Sequence, residues 1–362
     1  MKAKEIRTVM LAVPALAGLG FAVLDLAGCG RGAQPVAVLA DTLRGPETVV
    51  SAASGLIGGL ADMQLGSDGT LYMLDMDNAR VIARRPDGGT VTIGRDGSGP
   101  GEFQRPVSLA VSDDTVWVHD IGTGRLQAFS TSGAYLAGHR IPTDGMGGGS
   151  ALLPDGTIAV ATGGADSTLV EVFAPAGRRI AGFGHPLAPP NMIWDFTAMK
   201  TEIREGHVPD QFRNLTMPFW GPDRTLWLVL VAEGEVRRYT ETGQLKWKRT
   251  LEDATLDTIR STFFTAGRTE KNPAFLPMLR IARDAQATSR GLWLLLDTPH
   301  DLGYSVLLLL DPKTGAVRRR VVVEGVPDAG QIAVDPDRLQ LYLSRTEQAS
   351  VVRFPFTEAA GT

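Results

Sequence analysis

Short runs of alternating apolar and polar residues, separated by glycine-containing turns, recur along most of the chain. The clearest example is Gly94–Phe129. Within it, Val107–Val111 alternates like a half-buried strand, and Thr115–His119 has the β-branched and aromatic composition of a buried strand. Arg125–Phe129 alternates again after a glycine-flanked loop. The pattern predicts an antiparallel meander of short strands.

The paired strands and closing turn of this stretch occur six times in the chain. The second strand of each copy is apolar: Leu71–Asp75, Val116–Asp120, Ile158–Ala161, Leu226–Val229, Leu292–Leu295 and Leu341–Ser344. The glycines that close the copies, at positions 88, 133, 177, 243, 315 and 361, are spaced by 45, 44, 66, 72 and 46 residues. A period near 45 is typical of propeller blades. The sequence therefore predicts an all-β, six-bladed β-propeller over residues 46–362.

The last copy ends too early to complete a blade. After Phe356 only six residues remain, which is too few for an outer strand. Radial sheets need ring closure to protect their edges. We expect Glu47–Ala52 to supply the missing strand, and residues 29–45 to form a tether before it.

The two long spacings predict insertions at about 185–213 and 251–281. Both fall where the outer strand of one blade leads to the inner strand of the next, so both are expected on one face. Each contains an amphipathic run, Ile193–Lys200 and Leu256–Phe264, that predicts a short helix. Insertions gathered on one face of a repeat fold often mark its binding face.

The second copy also resembles the NHL repeat, a family of propeller blades. The matching residues are Gly99, Gly101, Phe103, Pro106, Leu109-Ala110-Val111, Val118, Asp120, Arg125-Leu126-Gln127 and Phe129. Thr123 stands where the family usually has Asn, which the first copy keeps as Asn78. The resemblance implies a fold and no activity, because propellers serve many functions.

The first 28 residues have the organisation of a bacterial export signal. Lys2, Lys4 and Arg7 precede an apolar stretch, Val9–Leu24, and small residues follow it. The sequence Leu26-Ala27-Gly28-Cys29 resembles the lipobox of bacterial lipoproteins, with acidic Asp25 as a departure. A plain cleaved signal and an uncleaved membrane anchor are the alternatives.

Cys29 is the only cysteine, so no disulfide within the chain is possible. The lipobox resemblance implies that residues 1–28 are removed and that Cys29 carries the lipid. Gly30, rather than Asp, follows Cys29, which by the same resemblance implies the outer membrane, facing the periplasm. The expected location is the bacterial cell envelope.

Charge and motifs exclude some functions. The formal charge is −4 and the pI is about 5.8, so the nucleic-acid-binding class has no support. The glycine-rich loop Gly94–Gly101 lacks the P-loop signature, and the chain has no HExxH motif.

Two sets of side chains are candidates for the site, both expected on the insertion face. Trp194, Phe196, Phe263 and Phe264 are candidates for an apolar ligand wall beside Asp75 and Asp120, which end second strands. His119, His300 and Asp297 are candidate metal ligands. Asp residues at strand ends also cap turns through nearby backbone N–H groups, and scattered loop histidines bind nothing in most proteins.

These observations favour a lipid-anchored binding or scaffold propeller, without a cofactor, that recognises a protein, a peptide or a small apolar ligand. The alternative is a metal-dependent hydrolase or lyase that resembles six-bladed lactonase-type propellers and uses calcium or zinc. The sequence contains no signature that identifies a catalytic residue.

Overall fold

The computed structural model describes residues 38–141, 149–190, 193–272 and 275–357. Cys29 and the predicted export signal lie outside them. The described residues form six sheets arranged as the blades of a propeller, which confirms the predicted fold class. Within the described ranges, none of the helices combines the length and apolar character needed to cross a bilayer.

The chain enters the propeller through two strands that belong to the last two blades, and the first two blades follow. The N-terminal strands are β1 (Leu39–Leu43) and β2 (Glu47–Val50). Blade 1 contains β3 (Leu60–Leu65), β4 (Leu71–Asp75), β5 (Arg80–Arg84) and β6 (Thr90–Ile93). A short parallel pair, β7 (Arg95–Asp96) and β8 (Glu102–Phe103), precedes blade 2. Blade 2 contains β9 (Pro106–Val111), β10 (Thr115–Asp120), β11 (Arg125–Ser130) and β12 (Tyr135–Arg140).

The other four blades repeat the same antiparallel order. Blade 3 contains β13 (Ser150–Leu152), β14 (Ile158–Ala161), β15 (Val170–Phe173) and β16 (Arg179–Phe183). Blade 4 contains β17 (Thr216–Trp220), β18 (Leu226–Leu230), β19 (Glu235–Tyr239) and β20 (Leu245–Thr250). Blade 5 contains β21 (Ala282–Thr288), β22 (Gly291–Leu296), β23 (Tyr304–Leu310) and β24 (Val317–Glu324). Blade 6 contains β25 (Ala329–Asp335), β26 (Gln340–Arg345) and β27 (Ser350–Pro355).

Blade 6 takes its outer strand from the N-terminal part of the chain, as predicted. Strand β2 pairs antiparallel with β27, and Glu47 lies opposite Arg353. The two side chains also form an ion pair. Val50, at the end of β2, is buried. The pairing covers the edge that the short last blade would otherwise expose.

A second N-terminal strand departs from the sequence prediction. Part of the segment assigned to a tether, Leu39–Leu43, forms β1 and pairs in parallel with β24 as a fifth strand of blade 5. Arg319 of β24 is buried and forms an ion pair with Asp41 of β1. The buried guanidinium requires a carboxylate partner, which accounts for the ordered position of this segment.

The core lies between blades, where apolar side chains of neighbouring sheets meet. Strands β4, β18 and β22 are buried along their whole length. Trp227 and Trp293 are buried between blades, and Trp117 is partly buried against the blade 2–3 core. Gly156 turns with φ +81°, and a Cβ there would lie 2.7 Å from Trp117 Cε2. Only glycine fits this turn without strain.

Both insertions are partly helical. The first contains α1 (Phe196–Glu205) and α2 (Asp210–Arg213), and the second contains α3 (Ala254–Thr269). Asp195 caps α1 by accepting hydrogen bonds from two backbone N–H groups, and Asp253 caps α3 in the same way through one. These caps set the first helical residues, so α1 begins three residues later than the predicted run and α3 begins two residues earlier.

The two insertions pack together as one helical cap. Helices α1 and α3 are in contact, and the side chain of Ile203 lies directly against Gly267. Phe212 of α2 is completely buried, with its ring centroid 5.8 Å from that of Trp194 and 6.3 Å from that of Phe263. We call the face that carries this cap the cap face, and the opposite face, formed by short hairpin turns, the turn face.

Candidate functional site

The propeller axis contains a cavity of about 260 Å³ that is lined by the innermost strands of all six blades. Blade 4 contributes an apolar wall, and the other blades contribute most of the polar groups. The polar lining side chains are Asp62, Gln64, Ser108, Ser150, Arg283, Asp284, Gln286 and Gln331. We call this cavity the central channel. It is a concave site with a few convergent polar groups, as in small-molecule pockets.

Two irregularities in the inner strands position the two carboxyl groups of the channel. In β3 the register shifts between Leu60 and Asp62, and in β21 it shifts between Ala282 and Asp284. Such bulges re-aim the side chain that follows the extra residue. Both acids are the third residue of an inner strand that starts at the cap face. They therefore lie near the cap end of the channel.

Each of these acids also links its blade to the next one. Asp62 accepts a hydrogen bond of 2.9 Å from the Leu109 N–H in blade 2. Asp284 accepts one of 2.8 Å from the Ile332 N–H in blade 6. The inner strand is a sheet edge, and the carboxylates satisfy N–H groups that no neighbouring strand pairs. The acids therefore contribute to ring structure as well as to the channel surface.

The channel makes both acids weaker than ordinary aspartates. Burial raises the pKa of Asp62 from 3.8 to about 6, against the opposing effect of hydrogen bonds from Leu109 and Gln64. Burial, and then the charge of Asp62, hold the pKa of Asp284 well above its ordinary value. Two carboxylates in one poorly solvated cavity disfavour each other's ionisation. A cation in the channel would favour ionisation of the pair.

A hydrogen-bonded chain of three side chains forms another part of the wall. His119 Nδ1 lies 2.8 Å from Ser150 Oγ, which lies 2.8 Å from Ser108 Oγ. Burial lowers the pKa of His119 to about 4, so the imidazole is neutral at pH 7. Its Nε2 is buried and has no hydrogen-bond partner among the described residues. This hydrogen-bonded series places the hydroxyl groups of Ser108 and Ser150 on the channel surface.

The strand-end aspartates of the sequence prediction are occupied by turn structure. Asp75 is buried and accepts hydrogen bonds from the Gly58 N–H and from the Asn78 side chain. Asp120 is also buried and accepts from the N–H groups of Gln104 and Arg105, at 3.0 and 2.7 Å. Their carboxylates cap nearby backbone rather than line the channel cavity.

The three predicted metal ligands do not form a cluster. His119 belongs to the buried chain described above, and His300 is exposed with Nε2 3.4 Å from a Glu347 oxygen. Asp297 forms ion pairs with Arg280 and Arg283. Among the described residues, no three His, Cys, Asp or Glu side chains are grouped closely enough to share a metal ion.

The predicted apolar wall divides into a buried part and an exposed part. Phe263 is buried, and Trp194 and Phe264 pack partly buried against the same core. Phe196, at the start of α1, is 42% exposed. Most of these aromatic groups attach the cap to the propeller, and Phe196 is the one that presents a large accessible surface.

Asp62 and Asp284 are absent from the sequence prediction, although a signal for them exists. The inner strands of blades 1 and 5 both contain Asp-x-Gln, as Asp62-Met63-Gln64 and Asp284-Ala285-Gln286. In each, the carboxyl and the amide are two residues apart and therefore lie on the same face of the strand. A search for polar pairs on innermost strands would have found them.

Comparison with known proteins supports the fold. Neither a protein-family model nor a curated protein sequence matches the chain. A Bacteroides fragilis protein assigned as exported has a similar structure, with a TM-score of 0.51 at 12% identity over 88% of this chain and 99% of that one. This likeness shows a shared fold and no shared activity.

Two further solved structures are similar at a lower level. Regucalcin from Agrobacterium tumefaciens, a calcium-binding protein, has a TM-score of 0.49 at 11% identity, over 88% of this chain and 95% of that one. Virginiamycin B lyase from Staphylococcus aureus has a TM-score of 0.46 at 11% identity, over 81% and 78% of the two chains.

Proposed function

We propose that this protein is a lipid-anchored, extracytoplasmic binding propeller that takes a small polar ligand with a cationic group into its central channel. The observation that carries the proposal is the pair Asp62 and Asp284 in one cavity, each with a raised pKa. A ligand ammonium group would favour ionisation of the pair and form charge-assisted hydrogen bonds with it. The small volume of the channel limits the ligand to a few heavy atoms or to one end of a longer molecule.

The remaining channel groups suit the rest of such a ligand. Ser108 and Ser150 offer hydroxyl groups, and Gln331 offers an amide. Met217 and Phe219 of blade 4 form an apolar patch on the wall. Polar groups that fix orientation on a partly apolar surface are typical of ligand pockets.

The path of the N-terminal strands supports an anchored arrangement with the cap face directed away from the membrane. Strand β1 runs parallel to β24, whose C-terminal end leads to blade 6 on the cap face. Leu39 therefore lies toward the turn face. Residues 30–38 separate it from Cys29, and nine residues reach at most roughly 30 Å. A lipid on Cys29 would hold the turn face toward the bilayer and leave the channel mouth at the cap accessible.

Titration with small probes tests the channel proposal. We expect ethanolamine, glycine and 1,4-diaminobutane to give measurable heats with the purified full chain, and glycerol to give none. Asp62→Asn and Asp284→Asn should each weaken amine binding roughly tenfold or more, since hydrogen bonds to charged groups contribute about 1.5–3 kcal/mol. Binding of the amines should tighten as pH rises through about 6, where Asp62 loses its proton.

Asp87→Asn is the matched control, because Asp87 lies in an exposed turn of blade 1 and the substitution makes the same charge change. If Asp87→Asn weakened amine binding as much as the channel variants do, the effect would reflect the overall charge of the protein and not the channel. Absence of binding by every amine would contradict the channel proposal.

A metal-dependent hydrolase or lyase is the second candidate, and the channel offers one observation in its favour. Two carboxyls and two glutamine amides, from Gln64 and Gln286, provide oxygen ligands of the kind that calcium prefers. Calcium and zinc chloride should therefore be titrated beside the amines. A metal affinity that both channel Asp variants abolish, together with no amine binding, would favour this candidate.

A protein or peptide partner would use the cap instead of the channel. Ile193, Phe196, Phe275 and Met278 are exposed apolar side chains, and all four belong to the two insertions. A partner that docks there would lose affinity on Phe196→Asp and not on Asp62→Asn. The same two variants therefore separate channel binding from recognition by the cap.

A further inference from the structure

We propose that a cleft at the seam between blade 6 and blade 1 is a binding site for a small oxyanion of the phosphate class. The cleft has a volume of about 250 Å³. Its wall combines the closing strand β2, blade 6 and the first turns of blade 1. We call it the seam cleft. It is separate from the central channel, since the two share no lining residue.

The seam cleft gathers positive charge in a chain whose net charge is negative. Four guanidinium groups line it, from Arg84, Arg85, Arg338 and Arg353, against two carboxylates, from Glu47 and Asp335. The full chain carries a formal charge of −4. A local excess of two positive charges in one concave site attracts anions rather than cations.

Two of the arginines each form an ion pair with a carboxylate of the cleft wall, which fixes the position of the guanidinium group. Arg353 pairs with Glu47 of β2, and its Cζ lies 6.0 Å from the ring centroid of Tyr342. Arg338 pairs with Asp335 at 2.7 Å. Each guanidinium has five N–H donors, so one carboxylate leaves donors for a further ligand.

Arg84 supplies charge that no carboxylate balances. It is partly buried, and its Nη1 donates a 3.0 Å hydrogen bond to the Gly88 carbonyl oxygen. Within the described part of the chain it forms no ion pair. Arg85, the neighbouring residue, lies 3.5 Å from the exposed Asp87. Planar guanidinium donors on opposite walls match the geometry of phosphate oxygens.

A bound anion would join parts of the ring that are distant in sequence. Arg84 belongs to blade 1, Arg338 and Arg353 belong to blade 6, and Glu47 belongs to the closing strand. An oxyanion that contacts both walls would hold the seam closed. Ligands that bind only the folded state raise its stability, so the melting temperature should rise with anion concentration.

The anion has two possible sources with the same chemistry, free phosphate and the headgroup of a phospholipid. The arginines lie at turns and strand ends on the turn face, which is also the face from which β1 starts. The experiment therefore uses two probes, inorganic phosphate and glycerol 1-phosphate, titrated calorimetrically into the purified full chain at constant ionic strength. Potassium chloride is the monovalent reference.

We expect both phosphates to bind and to raise the melting temperature, and chloride to do neither. Arg84→Gln should weaken phosphate binding at least tenfold, because the variant loses a charge-assisted hydrogen bond to the anion. Arg179→Gln is the matched control, because Arg179 is a half-exposed arginine of blade 3 that pairs with Glu171. It should change the affinity less than twofold. Arg338→Gln, in an exposed turn, gives a second test if Arg84→Gln does not fold.

The relative affinities identify the source. Tighter binding of glycerol 1-phosphate than of phosphate indicates a lipid headgroup, and equal or weaker binding indicates the free anion. The proposal is overturned if neither phosphate gives heat or a thermal shift at millimolar concentration. It is also overturned if Arg84→Gln and Arg179→Gln weaken binding equally, because the effect would then reflect net charge alone.

Discussion

Asp62→Asn tests directly whether the channel makes its carboxyl group a weak acid. Asn has the same shape as Asp, and its Oδ1 can still accept the 2.9 Å hydrogen bond from the Leu109 N–H. The substitution removes the ionisable group and retains the link between blades 1 and 2. Its effect on stability should therefore depend on pH rather than on lost packing.

The sign follows from the direction of the pKa shift. Folding raises the pKa of Asp62 from 3.8 to about 6, so the folded state binds this proton more tightly than the unfolded state. The stability that this tighter proton binding contributes is fully present below pH 4 and is lost as pH rises through 6. A shift of roughly two units corresponds to about 3 kcal/mol, at 1.36 kcal/mol per unit. Ionised Asp62 therefore lowers the stability of the wild-type protein at pH 7.

The assay is urea unfolding of the wild type and the variant at pH 4.5, 5.5, 6.5 and 7.5. The difference in unfolding free energy, variant minus wild type, should rise by roughly 2 kcal/mol from pH 4.5 to pH 7.5 and level off above pH 6.5, because part of the full effect is already lost at pH 4.5. Asp87→Asn, in an exposed turn, shows what loss of a surface carboxylate does under the same conditions. A difference that stays flat over this pH range for Asp62→Asn would show that the channel does not shift its pKa.

Three other predictions concern the cap, the closure and the anchor. Phe212→Ala should cost about 3–5 kcal/mol, because the side chain is completely buried beneath the cap, whereas Phe196→Ala should change stability by less than about 0.5 kcal/mol. Deleting residues 30–53 should cause aggregation by exposing the edges of β24 and β27, whereas deleting 30–37 should leave the melting temperature unchanged. Intact mass should show a chain that starts at a diacylglycerol-modified Cys29, and an unmodified Cys29 or a retained Met1 would rule out the anchor.

The number and order of the blades could be predicted because each blade carries its own local signals. Paired apolar strands and turn glycines such as Gly156 are short-range features, and their spacing reveals the repeat. The closing role of β2 could also be predicted, since the last blade lacks a strand. Strand β1 could not, because the segment Leu39–Leu43 has no clear alternation and its position depends on Arg319, which is far away in the chain.

The candidate site was harder to predict because its chemistry depends on which strands are innermost. Asp75 and Asp120 look like ligand groups at strand ends, but in the structure backbone N–H groups occupy their oxygens. Asp62 and Asp284 look like polar residues of half-exposed strands. Only the ring brings them into one cavity, where their electrostatic interaction appears.

The pairing of β2 with β27 has a consequence for the biogenesis of the protein. Glu47 and Arg353 are 306 positions apart, so β1 and β2 are synthesised long before their partner strands. These strands stay unpaired until the last two blades have emerged, and such non-local pairing is slow. A chain truncated before residue 317 contains neither partner strand. Ring closure therefore acts as a length check, and incomplete chains retain open strand edges that expose them to proteolysis and aggregation.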